Sequence, residues 1–188
     1  MNNLFQNCED RGEAEISDDG LYRYTLTREW ADGQCVGWLC FNPSTADATE
    51  DDASIRKMVG FSKRWGYGRM VVLNLFAIRS RDPKKVGRMG LSAIGPLNDY
   101  WICEAMKECR QLVCAWGCGE HFKTDKWSDV ASLDFRPNSL LPCLTSKFPE
   151  VPLMCLGRRQ DNHPRHPLML AYDTRLEPFV WRTSGNHS

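Results

Sequence analysis

Short apolar runs alternate along this chain with segments that have helical spacing. Residues 36–41 form an apolar run that stops at the polar segment 42–45, and three acids follow at residues 50–52. Apolar side chains then recur at helical spacing from Ile55 to Trp65. Open α/β sheets bind their ligands where a buried strand ends in a polar loop that leads into a helix. We therefore expect a ligand site where this strand ends.

Further runs of the same kind predict the rest of the fold. Residues 21–26 alternate as a strand and, through a turn at 31–34, are expected to form a hairpin with residues 35–41. The other runs with strand character are residues 70–73, 112–116, 153–156 and 179–181. Strands that alternate with helices predict an α/β fold with a three-layer, mostly parallel four-stranded sheet, helices on both faces and an N-terminal β-hairpin.

Three helices are expected between these strands. Asp51 or Asp52 can cap the first helix, and Asn98 or Asp99 the second. The third follows Gly117 and contains residues 121–127.

The length of 188 residues and the absence of internal repeats predict a single domain. We expect a polar lead-in at residues 1–20, the α/β domain at 21–182 and a tail at 183–188. No apolar run approaches the roughly 20 residues needed to cross a bilayer. Residues 1–15 lack the apolar core of an export signal. The expectation is a cytoplasmic protein without a membrane partner, and no obligate protein partner is evident.

A net charge of zero hides a strong asymmetry along the chain. Residues 1–55 contain 3 Lys/Arg and 12 Asp/Glu, whereas residues 56–88 contain 10 Lys/Arg and 1 acid. The basic block is a candidate phosphate-binding surface, and the aromatic residues Trp65 and Tyr67 lie inside it. The alternative, given equal weight, is that the block pairs with the acidic N-terminal third.

The nine cysteines do not suggest a metal centre. The tightest group is Cys103, Cys109, Cys114 and Cys118, and its spacing contains no Cys-x-x-Cys knuckle. We expect buried apolar side chains or free thiols, with no metal and no cofactor.

Polar residues collect at three predicted strand ends, namely Asn42, Asn74 and the loop with His163 and His166. The carboxyl ends of parallel strands lie along one rim, so these residues can converge. An asparagine amide offers donors and an acceptor, which suits the Watson–Crick edge of a base. A nearby histidine can donate a hydrogen bond to a developing oxyanion.

The order of these motifs resembles that of the uracil-DNA glycosylase superfamily. Residues 40–43 (Cys-Phe-Asn-Pro) are similar to the end of that fold's first strand, and residues 71–74 (Val-Val-Leu-Asn) to the strand with a base-reading asparagine. Residues 74–83 resemble the following loop in the iron–sulfur branch. The Ala-Trp-Gly at the end of 112–117 resembles a Leu-Trp-Gly turn, and 163–168 the closing His-Pro-Ser-Pro-Leu loop.

The chain from about Tyr22 to Leu170 also resembles a bacterial and phage family of unassigned function. The motifs of that family are Asn-Pro-Ser-Thr-Ala-Asp, Asn-Leu-Phe-Ala and His-Pro-Leu, and each is present here.

The glycosylase resemblance implies catalytic roles for three residues. Asn42 would position the water that attacks the sugar, and His166 would stabilise negative charge on the departing base. Asp47 is undecided between a turn residue and a catalytic base. The fastest enzymes carry aspartate where Asn42 stands, and asparagine cannot take a proton from water. The resemblance therefore implies slower catalysis or help from a neighbouring acid such as Asp47, Asp51 or Asp52.

The resemblance also implies contacts to the base and to DNA. Asn74 would hydrogen-bond a flipped base and Phe41 or Phe76 would stack on it, with His163 as the less favoured histidine. The residues implied to contact DNA are Ser44, Arg79, Arg81, Lys84, Arg158 and Arg159, with Leu168 as a wedge in the base stack.

Two departures modify this expectation. Ser44 and Thr45 replace the tyrosine that excludes a 5-methyl group, which predicts a roomier pocket for thymine or a bulkier 5-substituted pyrimidine. The cysteine knuckle of the iron–sulfur branch is absent from the sequence, so no cluster is expected.

The favoured function is therefore a metal-independent DNA glycosylase that acts on single- or double-stranded DNA. It would flip a uracil-like or 5-substituted pyrimidine and hydrolyse its N-glycosidic bond. One alternative is an enzyme that modifies unusual phage pyrimidines and leaves the glycosidic bond intact. Another is a catalytically inactive nucleic-acid or nucleotide binding module. Each residue also has a structural interpretation: the asparagines as turn or cap residues, the histidines as loop residues, and Asp51 and Asp52 as a helix start.

Overall fold

Seven strands form one mixed sheet in the computed structural model, which describes residues 11–44, 50–117 and 135–181. The order across the sheet is β1-β2-β4-β3-β5-β6-β7. The strands are β1 (Arg11–Ile16), β2 (Arg23–Glu29), β3 (Cys35–Cys40), β4 (Arg69–Asn74), β5 (Cys109–Cys114), β6 (Leu153–Cys155) and β7 (Glu177–Pro178).

Four α-helices pack around this sheet in the described part of the chain. They are α1 (Ala53–Arg64), α2 (Pro83–Met89), α3 (Asn98–Met106) and α4 (Phe135–Lys147), and short 3₁₀ helices lie at Gly90–Ile94 and Pro167–Met169. None of the described helices has the length and apolar character required to cross a membrane.

The α/β class is confirmed, but the predicted four-stranded sheet is wrong. The pairs β4–β3, β3–β5 and β5–β6 are parallel, and they form only the centre of the sheet. Antiparallel strands extend both edges: β1 and β2 beside β4, and β7 beside β6. Residues 21–26 correctly predict a strand in the region of β2. The sequence does not predict β1, because this strand alternates exposed and half-buried residues without an apolar run. The last strand is expected at 179–181, whereas β7 has only two residues and lies at Glu177–Pro178.

The predicted hairpin between residues 21–26 and 35–41 is also wrong. Strand β2 pairs with β1 and β4, and β3 lies on the other side of β4. Residues 11–16, which the sequence places in the polar lead-in, instead form the partner strand of an N-terminal hairpin. The predicted helix with residues 121–127 and the tail at 183–188 lie outside the described residues.

Backbone contacts at Gly68 explain why β4 lies between β2 and β3. The amides of Trp30 and Ala31 donate to Gly68 O at 3.0 and 3.1 Å, and Gly68 N donates to Gln34 O at 3.2 Å. The β2–β3 connection therefore closes around the start of β4. A Cβ at position 68 would lie 2.3 Å from Ala31 O, so only glycine fits.

Alternating residues of the central strands build a core on each face of the sheet. Val36 and Trp38 of β3 belong to the core that contains Phe61 of α1. Leu39 belongs to the opposite core, which contains Ile102 of α3 and the leucines of α4. The period of two along a strand thus places helices on both faces, as predicted.

The predicted N-cap of α1 is confirmed, whereas the predicted N-cap of α3 is wrong. Asp52 caps α1, with its Oδ1 accepting a hydrogen bond from Ile55 N at 2.9 Å. Leu97 occupies the N-cap position of α3 and provides no side-chain hydrogen bond. Asn98 instead donates through Nδ2 to Asn74 O and Leu75 O, so tertiary contacts take the amide that was expected to cap the helix.

We predict that Gly68→Ala destabilises the fold by about 3 kcal/mol, near the upper end of overpacking costs, because the contacting atoms are backbone and cannot rotate away. Urea unfolding of both proteins measures the difference. The matched control is Gly66→Asn, since position 66 has a φ of +81° and open space around it. Asparagine tolerates that conformation, so this change is expected to cost less than about 1 kcal/mol. Equal stability of the two variants would contradict the proposed constraint.

Candidate functional site

A cavity of about 220 Å³ lies at the carboxyl ends of the central parallel strands. The register places Cys40 opposite Asn74, so the polar segments that follow β3 and β4 are neighbours. Trp116, two residues after the end of β5, borders the same rim. The lining side chains are those of Arg23, Cys40, Phe41, Asn42, Ser44, Asp52, Ser54, Ile55, Met58, Val72, Asn74, Ser80, Arg81, Trp116 and His166.

Asn42 holds the walls of the cavity together. Its Nδ2 donates to three backbone carbonyls, those of Pro43 at 3.0 Å, Ile78 at 3.3 Å and Ser80 at 2.8 Å. Three acceptors around one atom fix the orientation of the amide, because the oxygen cannot take that place. Asn42 Oδ1 forms no hydrogen bond with the described residues, so it can accept one from a water or a ligand.

Asn74 has a buried amide at the cavity with an unused donor. Its side chain is 1% exposed, and Nδ2 has no hydrogen-bond partner among the described residues. The backbone on either side is fixed, since Asn98 Nδ2 donates to Asn74 O at 3.0 Å and Arg136 Nε donates to Leu75 O at 2.9 Å. A buried unpaired donor costs about 1–3 kcal/mol. A ligand acceptor that reached this amide would recover that cost.

His166 is oriented by the chain that follows it. Its Nδ1 accepts a hydrogen bond from Leu168 N at 3.3 Å, at the start of the 3₁₀ helix. In the neutral ring the proton therefore lies on Nε2, which makes that nitrogen a donor. Gly117 allows the approach of this loop, because a Cβ there would lie 3.3 Å from His166 Cβ and the residue has a φ of +87°.

His163 lies outside the cavity lining and is buried beside two tryptophans. Its ring is 5% exposed, and Nδ1 accepts a hydrogen bond from Trp116 Nε1 at 2.9 Å. The ring centroid is 5.2 Å from that of Trp181. His163 thus supports the tryptophan that borders the cavity, and only His166 of the two histidines reaches the site.

The two phenylalanines also differ in whether they line the cavity. Phe41 lines the cavity, whereas Phe76 is fully buried in the core and is not part of the lining. Their rings meet edge to face with centroids 5.3 Å apart. Phe76 can therefore support Phe41 but does not line the cavity.

A charged cluster closes one side of the cavity. Both oxygens of Asp52 accept hydrogen bonds, Oδ1 from Ile55 N and Oδ2 from Ser44 Oγ. Arg23 is 2% exposed, and burial lowers the pKa of its guanidinium to about 10, against the opposing effect of Asp52. Arg23 therefore remains a cation at neutral pH. Asp47 lies outside the described residues.

Sequence reasoning missed Arg23 and Trp116 as lining residues. An arginine between two tyrosines in the alternating run 21–26 is a usable signal, because a charged side chain in a strand must either face water or lie at a polar site. Trp116 is 2% exposed, and one side of it borders the cavity.

The basic residues predicted to contact DNA are only partly brought together. Arg81 lines the cavity and Lys84 is exposed nearby in α2, whereas Arg79 donates to Gly20 O at 3.2 Å. Arg158 lies 4.9 Å from the centre of the Phe179 ring, and Arg159 pairs with Asp161 at 3.7 Å. After His166, Leu168 is 39% exposed and Met169 is 89% exposed. Two apolar side chains therefore project from the rim.

An ion pair lies beside the start of α1. Arg28 of β2 contacts Asp51 Oδ1 through both Nε, at 2.8 Å, and Nη2, at 2.7 Å. Together with the cap formed by Asp52, this assigns both acids structural partners. No three His, Cys, Asp or Glu side chains among residues 11–44, 50–117 and 135–181 are grouped so that they could hold a metal ion.

Comparison with protein families gives one assignment. A family model described as "Protein of unknown function (DUF1643)" matches residues 23–168. The chain belongs to the DUF1643 family. The matched range contains every strand from β2 to β6 and every residue of the cavity, so the site is part of the family domain. Neither the curated proteins nor the solved structures gave a match.

We predict that Asn42→Asp destabilises the fold at pH 7 by about 3 kcal/mol or more, and by more than Asn42→Ala, because a carboxylate would face three carbonyl oxygens. The carbonyls favour the protonated acid, which can donate, and so raise the pKa of the introduced carboxyl in the folded state above its unfolded value of about 3.9. The extra destabilisation should vanish below about pH 4 and appear as pH rises through the folded pKa. Urea unfolding across pH measures it, and a pH-independent difference would contradict the assigned amide orientation.

His163→Phe is predicted to destabilise the fold by about 1–3 kcal/mol, because Trp116 Nε1 loses its acceptor in a buried position. His166→Ala serves as the matched control and is expected to cost less than about 1 kcal/mol, since that ring is half-buried at a cavity. Thermal and urea unfolding measure both variants. A greater loss of stability in His166→Ala would reverse the two assignments.

Proposed function

We propose that this protein is a DNA glycosylase that binds a flipped pyrimidine in the cavity and hydrolyses its N-glycosidic bond. The observation that carries the proposal is the buried amide of Asn74, whose Nδ2 has no hydrogen-bond partner in the described part of the chain, beside Asn42 and His166. A base edge supplies the acceptor that this amide lacks. The resemblance of the strand-end motifs to the uracil-DNA glycosylase superfamily supports the same reaction.

The size of the cavity fits one base better than a whole nucleotide. Its volume of about 220 Å³ is below the ~300–1,000 Å³ of typical small-molecule sites. Apolar side chains (Phe41, Ile55, Met58 and Val72) supply much of the lining and can pack on a planar ring. No tyrosine of the described residues lines the cavity, which agrees with the hypothesis that a thymine or a 5-substituted pyrimidine is accepted.

The proposed mechanism uses each polar group according to its geometry. Asn74 hydrogen-bonds the base, and Asn42 Oδ1 accepts a hydrogen bond from the attacking water. The Nε2–H of His166 donates to the negative charge that develops on the departing base. The proton that the attacking water loses passes to solvent, because both oxygens of Asp52 already accept hydrogen bonds. We therefore expect slow catalysis.

The surface around the cavity supports an interaction with DNA. Arg81 and Lys84 can contact phosphates on one side of the opening. Leu168 and Met169 project from the same loop as His166, where an apolar side chain could fill the space left by a flipped base. These contacts would offset the energy cost of unstacking.

One observation favours a second function, that of a nucleic-acid binding module without catalysis. The amide of Asn42 already donates to three carbonyls, which is a sufficient structural reason for asparagine at this position. A binding module needs only the base contact of Asn74 and the cationic rim.

We predict that incubation with oligonucleotides that carry uracil, mismatched thymine or a 5-substituted pyrimidine yields alkali-labile abasic sites. His166→Ala should lower the cleavage rate by about 100-fold or more, as expected for the loss of an oxyanion donor. Asn74→Ala should abolish selection among bases. Arg81→Ala should weaken DNA binding and lower the slope of log affinity against log salt by about 1. The matched control is Arg110→Ala, at the opposite end of β5.

The possible outcomes separate the functions. Abasic sites that persist unchanged in His166→Ala and Asn74→Ala would contradict the assigned roles. An altered base mass without abasic sites would indicate base modification. Salt-sensitive binding without either product would indicate a binding module. If folded protein neither binds nor alters DNA, the proposal is wrong.

A further inference from the structure

Two cysteines lie side by side at the end of the sheet opposite the cavity. Cys35 begins β3 and Cys109 begins β5, and the parallel register pairs them directly. Both side chains belong to the same core cluster, so they project from the same face. Neighbouring strands are about 4.7–4.9 Å apart, which lies within the ~4.4–6.8 Å between Cα atoms that a disulfide spans. The pairing is therefore compatible with a bond between these sulfurs, at a point where the register of the two strands shifts between Cys35 and Val36.

The surroundings make the two thiols unequal. A hydrogen bond from the Cys109 thiol lowers the pKa of Cys35, and the Arg69 guanidinium lowers it further. The same contact, together with burial, raises the pKa of Cys109. Burial likewise raises the pKa of the Cys114 thiol well above its usual value. The thiolate is the reactive form, so Cys35 is the nucleophile of the pair and Cys109 the resolving thiol.

The structure gives Cys35 a route to solvent. A groove of about 510 Å³ lies between the β1–β2 hairpin and α3, and Cys35 and Arg69 are part of its lining. Five carboxylates and three cationic side chains border the groove, so its net charge is negative. They are Glu13, Glu15, Glu29, Glu104 and Glu108, and Arg11, Arg69 and Lys107. Such a field favours the entry of small cations over small anions.

We propose that Cys35 and Cys109 form a thiol–disulfide exchange site, which small cationic disulfides reach through the groove between the β1–β2 hairpin and α3. The site is independent of the glycosylase proposal, because it lies at the amino ends of the strands and shares no residue with the cavity.

The reaction balances as an exchange with the external disulfide. The Cys35 thiolate attacks one sulfur of the small disulfide, which forms a mixed disulfide and releases one small thiolate. Cys109, after losing its proton to water, attacks Cys35 Sγ and releases the second small thiolate. The protein loses two electrons and two protons and gains one internal disulfide, while the external disulfide is reduced to two thiols.

The test treats the reduced, folded full chain with cystamine, a cationic disulfide, or with glutathione disulfide, an anionic one. Alkylation, digestion and mass spectrometry then map the linkages. We expect a Cys35–Cys109 disulfide that forms several-fold faster with cystamine at low salt, and a rate ratio that falls towards one at high salt. Cys109→Ser should instead accumulate a mixed disulfide at Cys35.

Charge variants test the route. Glu13→Gln combined with Glu15→Gln should reduce the preference for cystamine, whereas Glu150→Gln, an exposed acid outside the groove, should not. Modification of exposed Cys143 without a Cys35–Cys109 linkage would overturn the proposal. Formation of that linkage at one rate for both oxidants, accelerated by urea, would also overturn it, because it would show reaction through unfolding.

Discussion

The side-chain amide of Asn42 is the contact on which the candidate site depends. One nitrogen donates to the carbonyls of Pro43, Ile78 and Ser80, so the segment after β3 and the segment after β4 become one wall. Backbone carbonyls at a sheet rim have no strand partner and must find donors elsewhere. Asn42 supplies a donor to three of them here, and the backbone amide of Ser80 supplies a second donor to Pro43 O at 2.9 Å. Phe41, Asn42 and Asn74 line the cavity beside this connection.

The sequence predicts the parts of the fold that local patterns determine. Apolar runs identify the central parallel strands, and Asp52 followed by a helical pattern marks the start of α1. The partners of β2 could not be predicted, because the turn at 31–34 is compatible with a hairpin. The order is decided by Gly68, more than thirty residues away, whose backbone occupies the gap between the two strands. Contacts of this kind have no local signature.

In the candidate site, too, the sequence predicts some features, whereas tertiary contacts decide others. The carboxyl ends of parallel strands lie along one rim of a sheet, and this rule predicts that Asn42, Asn74 and His166 border one cavity. The difference between His163 and His166 does not follow from sequence, since each histidine precedes a proline. It is set by Trp116, whose indole N–H binds one ring and leaves the other at the cavity. The burial of Arg23 likewise depends on which strand lies beside β2.

Two neighbouring asparagines show which unused polar atoms point to a ligand. In the described part of the chain, Asn98 Oδ1 and Asn74 Nδ2 both lack hydrogen-bond partners. Asn98 donates through its amide nitrogen to the backbone carbonyls of Asn74 and Leu75, and it does not line the cavity. These two hydrogen bonds fix the orientation of the amide, which leaves its oxygen without a partner in that part of the chain. Asn74 provides no such support through its side chain. Its Nδ2 is therefore a buried donor without compensation among the described residues, and under the proposed function the edge of a bound base would supply the acceptor and stabilise the fold by mass action.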